Sequence, residues 1–137
     1  MLESYEENWR DRDFVKEIQK ERGLSRDDAL SWLRDHVPQE KYYQKKVMDG
    51  LKEAFPKAYI VKVAQGQYST SGIPDILCVV DGLYFGFEVK RPVFGRISPI
   101  QEMTIKKIWD AGGVATAVSY PEEAIGCILY ALSGKRK

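Results

Sequence analysis

Apolar and polar positions follow two distinct periods along the chain, and these periods predict its helices and strands. Apolar residues spaced three and four apart are typical of helices with one buried face. Shorter segments rich in β-branched and aromatic residues are typical of strands. We predict helices at 4–22, 25–37, 39–54, 98–111 and 121–132, and strands at 58–63, 76–80, 83–90 and 114–118.

The first two predicted helices carry local signals at their ends. Ser4 and Glu7 have capping-box spacing, Gly23 is a typical residue beyond a helix end, and Ser25 is a favourable N-cap. Residues 1–37 show only a narrow apolar stripe among many charges. We therefore interpret this segment as a helical extension for packing or dimerisation, in preference to a weakly supported helix-turn-helix that reads DNA.

The later helices are predicted to cover a sheet. In the third helix Val47 and Leu51 recur at helical spacing and predict its buried face. For the fourth helix we expect an inner face of Ile100, Thr104, Ile105, Ile108, Trp109 and Ala111. For the last helix we expect an inner face of Ile125, Ile128, Leu129 and Leu132.

The order of the elements predicts the fold class. After the extension, one helix, three strands, a helix, a strand and a helix (αβββαβα) predict an α/β domain with a mixed sheet flanked by helices. The near-continuous apolar run at 76–80 is typical of a strand covered on both faces. Asp81-Gly82 predicts a hairpin between this strand and the next. We divide the chain into the extension at 1–37 and a domain at 38–137.

Composition restricts the classes of function. The chain has 137 residues, a formal net charge of +1, two cysteines and one histidine. Two cysteines among apolar residues predict buried free thiols in a reducing cytoplasm, and two cysteines with one histidine argue against a structural zinc site. No apolar run approaches the roughly 20 residues that span a bilayer, so we expect no membrane partner. Any nucleic-acid partner must be attracted by a local patch and a bound cation.

Three ionisable residues converge at one end of the predicted hairpin. Asp75 opens one strand, and Glu88 and Lys90 close the next on one face, because strand side chains alternate. Two neighbouring carboxylates stay ionised only with a cation between them. Mg²⁺ suits oxygen ligands and can activate water against a phosphate. The alternative is a solvated, salt-bridged strand end, and the Pro-Asp strand start at hairpin distance favours the metal site.

Glu40 is a further candidate acid at the start of the third helix. It is three residues before Tyr43 and seven before Val47, so it lies on the apolar face. An acid in the first turn is also favourable to the helix dipole. Spacing alone leaves both interpretations open.

Four motifs in this order resemble the VRR-NUC family of the PD-(D/E)XK nuclease superfamily, found in phage and bacterial stand-alone nucleases. They are Glu40-x-x-Tyr43-Gln44, Gly72-Ile73-Pro74-Asp75, Glu88-Val89-Lys90 and Ile97-Ser98-Pro99-Ile100-Gln101. The resemblance covers about residues 38–120. It implies a restriction-endonuclease-like core and a metal-dependent endonuclease that uses Mg²⁺ or Mn²⁺. It also implies Holliday-junction or other branched DNA as substrate, and a homodimer.

The resemblance also implies roles for individual residues. Asp75 and Glu88 are expected to bind the metal together with the backbone carbonyl of Val89, and Lys90 is the expected catalytic lysine. Glu40 is expected to be an auxiliary acid that acts on the metal through water. Gln101 is an expected site residue, although Ser98-x-x-Gln101 is also a capping box.

DNA contacts and competing functions remain open in the sequence. Five basic residues are candidates for contact with DNA phosphates, namely Lys62, Arg91, Arg96, Lys106 and Lys107. Tyr68, Ser69 and Ser71 either touch the DNA backbone or cap a turn. A non-catalytic nucleic-acid-binding module on the same fold is the alternative function. A third hypothesis is a helical interaction protein that uses 1–37 to bind a partner.

Overall fold

The computed structural model describes residues 9–64 and 72–134, and within them the chain forms a mixed sheet flanked by helices. The elements in chain order are α1 (Trp9–Arg22), α2 (Arg26–His36), α3 (Glu40–Ala54), β1 (Tyr59–Lys62), β2 (Ile76–Val80), β3 (Leu83–Val89), α4 (Pro99–Asp110), β4 (Val114–Val118) and α5 (Pro121–Leu132). This order confirms the predicted α/β class, with an αβββαβα core behind a helical extension. The capping box predicted at Ser4 and Glu7 lies outside the described residues.

The sheet has the strand order β1-β2-β3-β4, and its register is fixed by the hairpin between β2 and β3. The β1–β2 and β2–β3 pairs are antiparallel, whereas β3 and β4 are parallel. At the hairpin, Asp81 and Gly82 adopt left-handed conformations with φ of 50° and 82°. Such a two-residue turn matches the twist of antiparallel strands. The resulting register places Ile76 opposite Phe87.

One face of the sheet packs against α3 and α5 and forms the main core. Phe85, Phe87 and Val89, which alternation in β3 predicts on one face, are fully buried there. The side chains of β2 alternate between buried and half-buried, with Leu77 and Val79 half-buried. The second face of β2 is therefore only partly covered, because the helix on that side, α4, packs against β4 and β3 instead.

The prediction of a buried inner face on α4 is wrong, because this helix is only partly covered. No residue of this helix is buried, and Ile100 is 53% and Trp109 41% exposed. Its half-buried members are Gln101, Thr104, Ile105 and Ile108. The helix is nevertheless tied to the sheet, because Trp109 Nε1 donates a 2.7 Å hydrogen bond to the Ala115 carbonyl. α4 is thus a partly covered layer whose apolar stripe borders solvent.

The face that α5 buries is made largely of small residues. Ala124 and Ile128 are fully buried, and Ala131 is 6% exposed. Leu129 and Leu132, predicted on the inner face, are 56% and 36% exposed, so this prediction is wrong. A helix that is apolar almost all round offers more than one stripe with helical spacing. Within residues 9–64 and 72–134, no helix is long and apolar enough to cross a membrane.

The N-terminal helices pack around a second, smaller core. Gly23 has φ +64° and follows α1, and Ser25 Oγ caps α2 by accepting a backbone N–H, as predicted. The buried members of this core are Val15, Ile18, Ala29, Leu33, Val37 and Val93. Val93 comes from the loop after β3, so the extension packs against the rest of the chain. The domain boundary after residue 37 stays a prediction.

The two cysteines are unpaired. Cys78 is buried in the main core and Cys127 is half-buried. Burial raises the pKa of each thiol to about 11. Both thiols therefore remain protonated and unreactive at neutral pH, and the prediction of free thiols is confirmed.

Candidate active site

Two carboxylates face each other across the β2–β3 pair, at the end remote from the hairpin. One step beyond the pair Ile76–Phe87, the register sets Asp75 opposite Glu88. Asp75 is 8% exposed and Glu88 2% exposed. Asp75 Oδ2 accepts a 2.8 Å hydrogen bond from the Val89 N–H, which orients the carboxylate. The hairpin brings the two acids together as the alternation pattern predicts.

Close backbone packing holds the segment before Asp75 in place. A Cβ on Gly86 would lie 2.9 Å from Pro74 Cγ, so the proline sits directly over this glycine of β3. Gly72 has φ +83°, and a Cβ there would lie 2.5 Å from Ile100 Cγ2 on α4. Both contacts require glycine. The strand start is therefore pressed between β3 and α4, which fixes where Asp75 enters the site.

Glu88 is strongly perturbed by its surroundings. Burial, followed by the hydrogen bond to Asp75 and its negative charge, raises the pKa of Glu88 from 4.5 to about 9, and Lys90 opposes this shift. Glu88 Oε2 is buried and has no hydrogen-bond partner among the described residues. Two adjacent buried carboxylates do not both ionise without a compensating cation. Without a cation, Glu88 keeps its proton at neutral pH.

These donors are suited to a hard divalent cation. Mg²⁺ takes oxygen ligands and is commonly held by one or two carboxylates, with water and substrate phosphate completing its shell. A cation between Asp75 and Glu88 would give Glu88 Oε2 its missing partner and lower the pKa of its carboxyl. No group of three or more His, Cys, Asp or Glu residues able to hold a metal occurs in the described part of the chain. The side chains available are thus two carboxylates, with the Val89 carbonyl adjacent.

Glu40 lies near this pair at the start of α3. Burial, followed by the charge of Asp75, raises the pKa of Glu40, and Lys90 lowers it. Glu40 Oε1 accepts a 3.4 Å hydrogen bond from Gln44 Nε2 one turn later. Glu40 is therefore within electrostatic reach of the site but does not complete a three-acid cluster in the region described. Its role as an auxiliary acid through water stays a prediction.

Lys90 follows β3 directly, two residues after Glu88. Its backbone N–H donates a 2.9 Å hydrogen bond to the Val118 carbonyl of β4, and the residue is only 8% exposed. Its ammonium opposes the rise in the pKa of both Glu88 and Glu40. The structure thus places a cation within electrostatic reach of Glu88 and Glu40.

Gln101 forms a helix cap at the start of α4. Gln101 Oε1 accepts the Ser98 N–H at 2.9 Å, and Ser98 Oγ accepts the Gln101 N–H at 3.2 Å. Of the two roles that the sequence leaves open, the capping box is therefore formed. A contact between Gln101 and substrate stays a prediction.

Arg91, a predicted DNA contact, is engaged by the N-terminal extension. Its Nη2 donates to the carbonyls of Arg34 and Val37, both at 2.7 Å, and its Nε donates to the Pro38 carbonyl at 3.0 Å. These carbonyls lie at the C-terminal end of α2, where backbone acceptors lack intrahelical partners. The acceptors are more than fifty residues away in sequence, so no local pattern pointed to this contact.

The other predicted DNA contacts are on the surface or outside the described residues. Arg96 is exposed, and its Nη1 donates to two carbonyls of its own loop. Lys106 forms an exposed 3.1 Å ion pair along α4, and Lys107 beside it is exposed. Within the described chain, no hydrogen bond or ion pair links these three residues to the carboxylates. Tyr68 and Ser71 lie outside the described residues.

Ser119 is a buried polar residue that the sequence analysis did not single out. One step beyond the pair Val89–Val118, the parallel register sets Ser119 beside Lys90. Ser119 is 1% exposed, and its Oγ has no hydrogen-bond partner in the part of the chain that the structure describes. A polar residue directly after an apolar strand was the signal available in the sequence.

A solved structure described as a VRR_NUC domain resembles this chain. The two share a TM-score of 0.54 and 22% sequence identity, and the match covers 66% of this chain and 95% of that chain. No family model matches the chain, and no curated protein matches it. At this identity the likeness establishes the fold, which is the restriction-endonuclease-like fold of a VRR_NUC domain. The resemblance in motifs is thereby confirmed at the level of the fold.

Proposed function

We propose that this protein is an endodeoxyribonuclease that hydrolyses phosphodiester bonds with Mg²⁺ or Mn²⁺ as cofactor. The observation that carries this proposal is the buried pair Asp75–Glu88, in which one carboxylate oxygen has no partner within the described residues. The likeness of the fold to a VRR_NUC domain supports the same class. Lys90, whose charge acts on Glu88, supplies the third element expected of such a site.

The positions of these residues support distinct roles. Asp75, Glu88 and the Val89 carbonyl would hold the cation, which when bound neutralises phosphate charge and lowers the pKa of water. Lys90 would donate hydrogen bonds to the phosphate oxygens on which negative charge builds up. Glu40 would orient water at the outer side of the site. Each role needs only side chains that already lie near the pair.

The proposal extends to substrate and assembly. Branched DNA, including the Holliday junction, is the proposed substrate, and a homodimer is the proposed assembly. Both rest on the resemblance of the four motifs to stand-alone VRR-NUC nucleases. Arg96, Lys106 and Lys107 are retained as proposed phosphate contacts because they are exposed, together with Tyr68 and Ser71.

Cleavage of end-labelled DNA tests the activity. Duplex, nicked, flap and four-way-junction DNA are incubated with protein in Mg²⁺, Mn²⁺ or EDTA, beside Lys90→Ala and the control Lys57→Ala, an exposed lysine between α3 and β1. We expect cleavage by wild type and control only with metal, and none by Lys90→Ala. No metal-dependent cleavage, or full activity in Lys90→Ala, contradicts the proposal. Binding without cleavage would select the non-catalytic module.

A further inference from the structure

An open cleft with a volume of about 520 Å³ lies between α3 and β1. Its residues from α3 are spaced three and four apart, which places them along one side of the helix. Lys62, the last residue of β1, forms the opposite wall. The complete lining is Lys41, Tyr42, Gln44, Lys45, Met48 and Lys62.

The surface of the cleft is almost entirely apolar, while three of the six side chains that line it are lysines. Lys41, Lys45 and Lys62 are exposed, while Met48 and the ring of Tyr42 add apolar area. Lys45 forms a 2.8 Å ion pair along α3, but its side chain is 77% exposed, and such a pair contributes little and opens readily. A nucleic-acid strand presents the complementary features, with anionic phosphates joined by sugars and bases that have apolar faces.

Three contacts connect the residues of the cleft to the carboxylate site. Gln44, which lines the cleft, donates its hydrogen bond to Glu40. Lys62 pairs in register with Ile76, the residue after Asp75. The next residue of the chain, Val63, donates its N–H to the Asp75 carbonyl at 2.8 Å. A strand lying in the cleft would therefore pass next to the paired acids.

We propose that this cleft binds the sugar-phosphate backbone of the DNA strand that is cut, on one side of the scissile phosphate. Lys41, Lys45 and Lys62 contact its phosphates, and Tyr42 contacts a sugar or base. This inference rests on the proposed function and adds the path of the substrate to it. The three lysines of the cleft are therefore stronger candidates for phosphate contacts than the two lysines of α4.

Salt-dependent DNA binding tests this path without requiring cleavage. Fluorescence anisotropy of labelled duplex in EDTA compares Lys90→Ala alone with the same chain carrying Lys41→Ala, Lys45→Ala and Lys62→Ala. Each lost phosphate contact lowers the slope of log affinity against log salt by about 0.9. We expect the triple substitution to lower the slope by about 2–3 and to weaken binding at least about tenfold at low salt. A control triple, Lys16→Ala, Lys52→Ala and Lys57→Ala, removes equal charge from exposed positions.

The outcomes separate this inference from the proposed function. Equal losses of DNA affinity in both triple variants mean that net charge alone acts. An unchanged affinity in the cleft triple shows that DNA binds elsewhere. Either result refutes the proposed role of the cleft. A wild-type protein that cleaves while the cleft triple binds normally refutes only the cleft. A protein that neither binds nor cleaves DNA refutes both. Lys62→Glu, a single change at an exposed strand end, repeats the test with minimal disturbance of the fold.

A second inference rests on the loop that follows Lys90. Val93 in this loop has φ +71° and is 7% exposed, packed in the N-terminal core with Leu33 and Val37. A left-handed backbone is strained for a β-branched residue and persists only where surrounding contacts impose it. The N-terminal helices supply those contacts.

The same loop folds back onto Lys90. The Gly95 N–H donates to the Arg91 carbonyl at 3.0 Å, and a Cβ on Gly95 would lie 2.8 Å from Lys90 Cβ. The guanidinium groups of Arg91 and Arg34 lie 4.9 and 5.1 Å from the centre of the Phe94 ring. Arg91 also binds the carbonyls at the end of α2. The loop is thus held by α2 on one side and touches Lys90 on the other.

We infer that α1 and α2 act as a clamp that positions Lys90, with Arg91 as the positioning residue. Arg91→Lys keeps the charge but loses the planar fork that reaches several carbonyls. We expect kcat to fall about tenfold or more with KM unchanged, because a small displacement of a catalytic group costs rate rather than binding. The control is Arg26→Lys, an exposed residue at the opposite end of α2 from Arg34 and Val37, which should leave kcat unchanged.

Three measurements decide between this role and its alternatives. A rise in KM with kcat unchanged would make Arg91 a DNA contact, and an unchanged kcat would leave it without a role in positioning. A fall in kcat equal to the unfolded fraction seen by circular dichroism would make Arg91 structural only; each of these results overturns the clamp. Amide hydrogen exchange of residues 91–95 should accelerate in Arg91→Lys whether or not the protein cleaves DNA. Unchanged exchange there contradicts the clamp independently of the proposed nuclease activity.

Discussion

Glu88→Gln replaces a buried carboxyl that keeps its proton with an uncharged amide of similar shape. Because the folded-state pKa of Glu88 is about 9 and its ordinary value is 4.5, the folded protein binds this proton more tightly than the unfolded chain. The stability contributed by the proton is complete below pH 4.5 and is lost as pH rises towards 9. Glutamine has no such proton to lose, so the variant should lack this decline.

The magnitude follows from the shift. Each pH unit within this range changes the free energy of unfolding by up to about 1.4 kcal/mol. Between pH 5 and pH 7 the metal-free wild type should therefore lose up to about 3 kcal/mol relative to Glu88→Gln. For a domain of this size that corresponds to a difference of about 10 °C in Tm. Part of the shift comes from the coupling of Glu88 to the charge of Asp75, so this value is an upper bound.

Thermal unfolding in EDTA from pH 5 to pH 8 measures the effect. As pH rises, wild type and the control Glu53→Gln, which changes an exposed acid on α3, should lose stability by equal amounts. Glu88→Gln should therefore become more stable relative to both proteins. Mn²⁺ at a hundred times its Kd should then raise the stability of wild type by about 2.7 kcal/mol and leave Glu88→Gln unchanged. Parallel pH curves for wild type and Glu88→Gln would refute the assignment of a tightly held proton to Glu88.

Further predictions concern the supports of the site. Gln101→Glu keeps the capping box and should leave Tm unchanged; full cleavage activity would show that Gln101 acts only as a cap, and a loss of kcat would show that its amide is needed. Leu33→Ala, at a fully buried position, should cost about 2–5 kcal/mol in urea unfolding, and a cost under about 1 kcal/mol would contradict its place in the N-terminal core. Gly72→Ala should cost about 1–3 kcal/mol and lower kcat, because its Cβ would collide with Ile100 Cγ2. Unchanged unfolding and cleavage would show that this close packing does not position Asp75.

The meeting of Asp75 and Glu88 was predictable because it depends on local rules. Asp81-Gly82 fixes a two-residue turn, and the alternation of side chains then fixes which residues oppose each other. The turn at this dipeptide thus determines the pairing of ten strand residues, and the two acids follow directly after the last pair. The helix caps at Ser25 and Ser98 were predictable for the same reason.

Contacts between distant segments were not predictable in this way. The buried stripe of α5 depends on how closely its alanines approach the neighbouring layers, and Leu129 fits the helical spacing equally well. The hydrogen bonds of Arg91 depend on where the end of α2 lies after folding. Ser119 is placed beside Lys90 only by the parallel register of β4. Each of these depends on tertiary packing that no local pattern encodes.

The central claim is that Asp75 and Glu88 bind a divalent cation. Anomalous X-ray scattering from a crystal soaked in Mn²⁺ tests it most directly. We expect a peak within metal-ligand distance of oxygens of both carboxylates, with the Val89 carbonyl as a further ligand, and its loss in Asp75→Asn. A fully occupied Mn²⁺ site away from Asp75 and Glu88, with none between them, would contradict it.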